Sequence, residues 1–588
     1  MKADAMSFNF LANEGAVKIP FFQRGYVWGE SNWEDMLSDL LDEKKNHFLG
    51  SLILKQQEQQ SGKMKEVSVI DGQQRLTTLS ILIKALFDGL PEDTQTNCKN
   101  AVYPCLFFKK NITDSTLNVK IQHSRVDASF YSKVINGLTN EEIENVSDKS
   151  HSILKCYGFF RKKLKEQSLD ANKGLLNRLL NNENKILVLI DLSDKEDEQA
   201  IFDTINSAGV RLSGADIIKN ALFQKAIEVC GDNNDEVNKL YLDCWDSVFS
   251  SDEDTINFWE TSRPTGRLMR DNIEILLHSI SVIKNIFDPD KHTLSDLSSL
   301  YKNFINSLDK EGLFSFANEI KDYAKLYREK IAAFNRSSLF NFTDNKHRLL
   351  HILEVCEIST FHPYLLSLFK KYEEDEKTLN IRLSEIEKLI VRRMISKAET
   401  KNYNKLCKDF INDDNQPTSL LKDVSDIKIL DGLKNISNKN AALLLFWIEL
   451  KRKNDDSKQS IKELKYNFSL EHLMPQKWEE YWSNIPYVDS QGNILESSEE
   501  SKVKRKSFIY HIGNMTLLNS SLNTSLRNYI FEYKVNGEGQ KKGIKSYADL
   551  SITNDDILKP FNDGDTVWNE RKIWNRTEKL YKEIISIW

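Results

Sequence analysis

Apolar residues fall into two spacings along this chain, and the balance between them changes from front to back. Up to about residue 225, short apolar runs suited to strands alternate with the three-and-four spacing of amphipathic helices. Ser31 and Glu34 have the separation of a capping box, and the helix they open puts Trp33, Met36, Leu37, Leu40 and Leu41 on one face. Residues 48–54 read as a buried strand and residues 67–70 as another. The second run stops at Asp71-Gly72, and Leu76, Leu79, Ile83 and Leu86 then mark a helix. A third strand is predicted over 185–191, leading into a helix that ends near Asn206 with Gly209 as its stop.

From 226 to 455 the pattern is mainly helical, as in Ile273, Leu276, Leu277, Ile280 and Val282, and again over 349–368 and 386–395. Only 10 Pro and 22 Gly occur in the chain, which suits long helices. The polar run 451–462 reads as a linker. Beyond it come a strand-like run at 468–471, a polar insertion and a second motif at 511–528. An amphipathic helix carrying Trp568, Trp574, Tyr581 and Trp588 closes the chain. The expected architecture is multidomain α+β: an α/β front over 1–225, a helical connecting part over 226–455 and a mixed end over 456–588.

With 588 residues, and about 150 per domain, three to four domains are expected. The chain is 40% apolar and 29% charged, which suits folded domains and argues against wholesale disorder. A net charge of -6 neither supports nor excludes nucleic-acid binding, which needs basic patches rather than a basic total. The seven cysteines are scattered and never spaced as CxxC, which points to a reducing compartment and away from a zinc knuckle. The first ten residues lack the apolar core of a signal peptide, and the longest apolar run, 441–448, is far short of the ~20 residues of a membrane span. The expectation is a soluble, cytoplasmic protein with no membrane partner.

Two words near the C-terminus carry chemistry: FSLEHLMPQ at 468–476 and HIGNMTLL at 511–518, followed by Asn523. Cutting a phosphodiester needs a base to deprotonate water and a cation to neutralise developing charge. A histidine ending a strand can be the base, and an adjacent carboxylate on the other side of the strand can hold Mg²⁺ with an amide oxygen. His472, Glu471 and Asn523 are those three types, and Asn514 can lock the loop so that the imidazole keeps one tautomer. These words resemble the HNH (His-Me finger) nuclease module of the DUF1524 family, over about 120 residues. The resemblance implies a ββα-metal fold, His472 as general base, Glu471 and Asn523 as ligands of Mg²⁺ or another divalent cation, and Asn514 as the supporting residue at the catalytic centre. Two departures stand out: no cysteines pair to hold a structural zinc, and the gap from Pro475 to His511 is long. Lys502, Lys504, Arg505 and Lys506 form a cluster suited to DNA phosphates, or to a solvated face; His511 suits a phosphate contact or a strand cap.

Near the front stand IPFFQRGYVW at 19–28, FLGS at 48–51 and VIDGQQR at 69–75. The last runs from strand through tight turn to helix, where main-chain N–H groups favour an anion and Arg75 adds a fork of donors. Phe21, Phe22, Tyr26 and Trp28 suit core packing better than base stacking. With the word at 200–220, these motifs resemble the DUF262 family, whose fold is similar to ParB and sulfiredoxin; Arg392 and Arg393 fit a further word of such proteins. That resemblance implies a nucleoside-triphosphate site formed by Gln23, Arg24, Asp71, Gly72, Gln73, Gln74 and Arg75, with Asp71 and Arg75 in hydrolysis.

A DUF262 front joined to a DUF1524 end resembles the GmrSD-type, modification-dependent (Type IV) restriction enzymes. The resemblance implies an NTP-regulated, metal-dependent endonuclease of anti-phage defence, acting on modified double-stranded phage DNA. Two rivals stay open. One is a nicking nuclease that senses a modified backbone such as phosphorothioate. The other is a nucleotide-switched DNA-binding regulator with a degenerate nuclease site. A single HNH site cuts one strand, so a homodimer is one of two routes to a double-strand break, two passes being the other.

Overall fold

The computed structural model describes residues 2–23, 25–42, 48–56, 66–111, 114–123, 125–147, 150–192, 213–231, 234–265, 268–421, 424–519, 528–539, 541–546 and 548–588. The chain divides into two compact units, Met1–Gln224 and Lys225–Trp588. No helix among the described residues is long and apolar enough to cross a membrane.

The first unit is built on a six-stranded mixed sheet, in the order Lys2–Met6, Leu187–Leu192, Ser51–Gln56, Glu66–Asp71, Ala16–Lys18, Ile121–Gln122. Ser51–Gln56 runs parallel to Leu187–Leu192 and antiparallel to Glu66–Asp71, with a register shift between Ile53 and Leu54. The helix Gln73–Gly89 follows directly from the fourth of these strands and is buried along most of its length. It shares a core with Trp33, Met36, Leu37 and Leu40 of the helix Glu30–Leu41 and with Tyr157 and Phe160 of Ser152–Lys165.

Two local expectations change here. The first helix begins at Glu30 with Gly29 as its cap, and the Asn32 side chain accepts from the Gly29 N–H, so Ser31 and Glu34 do not form the capping box. The strand expected from residue 48 begins at Ser51, and Phe48 is exposed, because Gly50 turns the chain with φ +109°. The helix end expected near Asn206 and Gly209 lies outside the described residues.

The second unit is mainly helical, with Asn272–Ile283, Lys310–Leu326, Glu376–Ile395 and Asn438–Asp455 among its longer helices. The stretch 349–368 is two helices, Asn345–Val355 and His362–Lys371, separated by Glu357 at φ +58° and restarted by Pro363 in the first turn. Residues 451–455 continue a helix rather than opening a linker, because Arg452 is held by Asp556 and Glu583. Arg392 and Arg393 serve the packing. Arg392 donates to the main-chain oxygens of Trp588 and Val424, and Arg393 to that of Glu399. A two-stranded ribbon, Phe468–His472 with Met515–Asn519, carries the candidate site.

Several histidines of this unit are buried or half-buried. Burial pushes His362 down to about 4, with Arg263 adding to the shift, and His351 down to about 3, with Arg336 adding. Such a ring is neutral when folded, while the unfolded chain takes up a proton near pH 6.5. The stability it confers is therefore complete above pH 6.5 and is lost as pH falls toward 4. His362→Gln removes one such group, worth at most roughly 3 kcal/mol. Thermal melts from pH 7.5 to 4.5 are expected to fall less steeply in the variant than in the wild type; equal slopes would show that His362 is not held neutral.

Candidate active site

The ribbon brings the two C-terminal words side by side, with Glu471 opposite Thr516 and His472 opposite Met515. Strand alternation sends the Glu471 and His472 side chains to opposite faces. His472 Nδ1 lies 3.1 Å from the Ile509 carbonyl oxygen. A carbonyl only accepts, so Nδ1 carries the ring proton and Nε2 the lone pair. Burial is the main influence on the ring and lowers its pKa; the Ile509 bond opposes this and the Lys534 charge reinforces it. The imidazole is thus neutral near physiological pH, the state a general base requires. The Asn438 side-chain amide, in the first turn of Asn438–Asp455, lies 3.1 Å from Nε2. With the lone pair on Nε2, it is the NH2 end of that amide that faces the ring and donates.

Asn514 is fully buried and acts through other groups. Its Nδ2 donates to the carbonyls of Met474 at 2.9 Å and Ile509 at 3.0 Å. Its Oδ1 accepts from the Met474 N–H at 2.8 Å and the Trp568 indole at 3.1 Å. The Ile509 carbonyl therefore receives both His472 and Asn514. Asn514 thus reaches the ring only through that shared carbonyl, the arrangement expected of a residue that locks the loop. Its neighbour Gly513 is glycine for want of space: a Cβ there would lie 2.1 Å from the Ile573 carbonyl oxygen of the closing helix Glu570–Ile587.

Glu471 meets Lys534 on the other face. The lysine donates to Glu471 Oε1 at 2.5 Å and to the His472 carbonyl at 2.7 Å. Burial pushes the Glu471 carboxyl up and the Lys534 ammonium down, and each partner opposes the other's shift. Asn523, the other expected ligand, lies outside the described residues. Among the described residues no group of three or more His, Cys, Asp or Glu is arranged to hold a metal.

The expected phosphate cluster is divided. Arg505 of the helix Glu499–Phe508 is wholly buried and is not available to DNA. Its guanidinium meets Glu570 at 2.5 Å and the carbonyls of Ile485 at 3.0 Å and Pro486 at 2.8 Å, and it lies 4.1 Å from the centre of the Tyr487 ring. Lys502 pairs with Glu499, and Lys504 and Lys506 are exposed. His511 is buried and stacked on Phe508 at 4.4 Å, and burial pushes it down to about 4, so it packs rather than binding phosphate.

In the first unit, the FLGS and DGQQR words pack against each other. Gly72 caps the Gln73–Gly89 helix at φ +87°, and a Cβ there would meet Leu52 Cδ2 at 2.4 Å. Arg75 donates to the Ser51 carbonyl at 2.6 Å, and a Cβ on Gly50 would strike its Cζ at 2.6 Å. Burial lowers the Arg75 pKa and the nearby Asp71 opposes it. Gln23 donates to the Val69 carbonyl at 2.8 Å. Gln74 holds the neighbouring loop: its Oε1 accepts from the Val27 N–H at 2.9 Å and its Nε2 donates to the Gly25 carbonyl at 2.9 Å. The structure thus gathers Gln23, Asp71, Gly72, Gln73, Gln74 and Arg75 around one turn, with Gln74 committed to the main chain. Arg24 lies outside the described residues. Tyr26 is core: its hydroxyl bonds Thr78 at 2.6 Å and accepts from the Trp33 indole at 2.8 Å.

Lys534, Asn438 and the Ile509 carbonyl were not legible as site groups. For Lys534 a signal existed. It stands three residues after Phe531 and one before Val535, on the buried face of the helix Phe531–Asn536. A lysine on an apolar face calls for a charge partner.

The division of the basic cluster is testable. Arg505→Ala leaves Glu570 buried and unpaired, and is expected to cost about 3–5 kcal/mol in denaturant unfolding. Lys504→Ala with Lys506→Ala is expected to change stability by only ~0.5 kcal/mol. The same pair is expected to lower the salt slope of DNA binding by about one for each phosphate that is no longer neutralised. A stable Arg505→Ala with weakened DNA binding would reverse the assignment.

Comparison with known proteins agrees with this layout. Residues 8–223 match the GmrSD restriction endonuclease, N-terminal domain, and residues 423–583 match the GmrSD restriction endonucleases, C-terminal domain. An uncharacterized protein of Methanocaldococcus jannaschii is 25% identical over 249 residues, 37% of this chain and 41% of that protein. The match thus spans less than half the length of that relative. The front words lie in the first matched region and the His472 ribbon in the second. With both terminal domains present in order, and together covering more than half of its length, the chain belongs to the GmrSD restriction endonuclease family.

Proposed function

We propose that this chain is a nucleotide-regulated DNA endonuclease of anti-phage defence that cuts foreign, modified DNA at His472. The observation that carries the reading is the His472 ring, fixed through Nδ1 on the Ile509 carbonyl and kept neutral by burial, with Nε2 as its basic atom. In the reaction, a water takes the place of the exposed Asn438 amide at Nε2. His472 accepts its proton as the oxygen attacks phosphorus, and the P–O bond opposite the incoming water breaks. Asn514 and the Ile509 carbonyl keep the ring from turning during that transfer. Lys504 and Lys506 provide exposed cations for the duplex backbone.

A divalent cation fits the donor chemistry on the other face. Glu471 Oε1 is bonded to Lys534, and no hydrogen bond to Oε2 is made among the described residues. An oxygen donor of this kind suits Mg²⁺, with Asn523 as the second ligand by resemblance. When bound, such an ion supplies charge neutralisation at the phosphate and the leaving oxygen.

The front turn suits a nucleoside triphosphate: the start of the Gln73–Gly89 helix and the Arg75 guanidinium both favour phosphate, and Asp71 stands beside them to orient water. Asp71→Ala and Arg75→Ala are expected to depress nucleotide hydrolysis; normal turnover in both would remove this assignment.

The direct test is cleavage of plain and hydroxymethylcytosine-containing DNA with Mg²⁺ or Mn²⁺, with and without each NTP, alongside His472→Ala. Cutting of modified DNA only, lost by at least a hundredfold in the variant with folding and nucleotide turnover intact, is the expected result. Cleavage retained by His472→Ala would refute the base. Cutting of phosphorothioate DNA alone would favour a backbone-sensing nuclease.

A further inference from the structure

A buried lysine sits against the carboxylate that the proposed reading gives to a metal ion. The Lys534 side chain is 1% exposed, and its ammonium is held by Glu471 Oε1 at 2.5 Å and the His472 carbonyl at 2.7 Å. Phe531 and Val535 flank it from the core, so the ammonium has been brought into an apolar setting by the helix that carries it. Burying an ammonium is costly unless it is paired and hydrogen-bonded, and both of its described partners belong to the Glu471–His472 dipeptide. One ammonium thus holds both residues of the dipeptide, Glu471 by its carboxylate and His472 by its main-chain carbonyl.

A divalent cation and an ammonium beside the same carboxylate repel each other, so full occupancy by one weakens the hold of the other. We propose that Lys534 is an exchangeable counter-ion of the nuclease site, which holds Glu471 in the metal-free protein and yields the carboxylate to a divalent cation when the site loads. The inference rests on the reading of Glu471 as a metal ligand. It gives the site a dependence on substrate. Without DNA, the ion must displace a paired ammonium and binds weakly. A DNA phosphate brings a further negative charge, so that ion and ammonium are both balanced. The metal is then taken up together with the substrate, which keeps an idle nuclease largely unloaded.

The test is Mn²⁺ binding to the full chain without DNA, by calorimetry and by electron paramagnetic resonance of the free ion. Wild type, Lys534→Met, Lys534→Arg and Glu471→Gln are compared. Lys534→Met, which keeps the length and loses the charge, is expected to bind Mn²⁺ at least tenfold more tightly than wild type. Lys534→Arg is expected to stay within threefold of wild type. Glu471→Gln is expected to abolish the binding. Unchanged or weaker binding by folded Lys534→Met, with binding lost in Glu471→Gln, overturns the counter-ion and leaves the ligand reading standing. Binding that survives Glu471→Gln overturns both. If Lys534→Met does not fold, the wild-type ammonium is followed by nitrogen-15 lysine resonance, assigned with Lys534→Arg. Its signal is expected to shift as Mg²⁺ saturates the site, and an unmoved signal overturns the proposal.

Discussion

A single buried amide holds the C-terminal site together. Asn514 uses both ends of its side chain, bonding the main chain of Met474 twice, the Ile509 carbonyl and the Trp568 indole. Those partners come from the segment after one strand, the segment before the other, and the approach to the closing helix. A buried amide with every group paired specifies one arrangement, whereas losing any partner leaves a polar atom stranded in the core. The histidine inherits its orientation from this knot, because it shares the Ile509 carbonyl. Gly513 adds the steric half of the constraint by letting the closing helix come within contact of the main chain. The orientation of the His472 ring is therefore set by groups buried behind it.

The parts of this molecule that were legible in its sequence are those where one periodicity dominates. The helix Gln73–Gly89, the strand at 67–70 and the helix Asn272–Ile283 follow directly from apolar spacing. The strand Lys2–Met6 did not announce itself, because this exposed edge strand has only Ala3 and Ala5 opposite Lys2 and Asp4, too little apolar surface to mark a pattern. The break between Val355 and His362 was hidden for a different reason: apolar spacing continues across it, and the turn rests on a left-handed Glu357 that composition does not mark. At the site, residue type and order pointed to His472 and Glu471. Spacing could not reveal that Arg505 faces inward while its neighbours face out, since that depends on an acid, Glu570, sixty-five residues away in sequence.

The front unit shows how separate words become one object. FLGS and DGQQR are distant enough to look independent, yet each glycine is explained by the other word. Gly50 leaves room for the Arg75 guanidinium, and Gly72 leaves room for Leu52 and the Ser51 carbonyl. Gln74 then ties the turn to the loop of Gly25, Val27 and Trp28. Three stretches of chain are thereby fixed around a helix start, so a change in any one of them is felt by the others.

The inward arginine of the helix Glu499–Phe508 has a mechanical meaning. Its guanidinium is bound on several sides, by Glu570 and by successive carbonyls of the preceding loop, and it lies against an aromatic ring. A helix anchored in that manner cannot roll about its own axis. The lysines on its outer side accordingly keep a constant bearing, like teeth on a keyed shaft. Whatever polyanion meets them encounters a fixed angle of approach rather than a freely swinging set of charges.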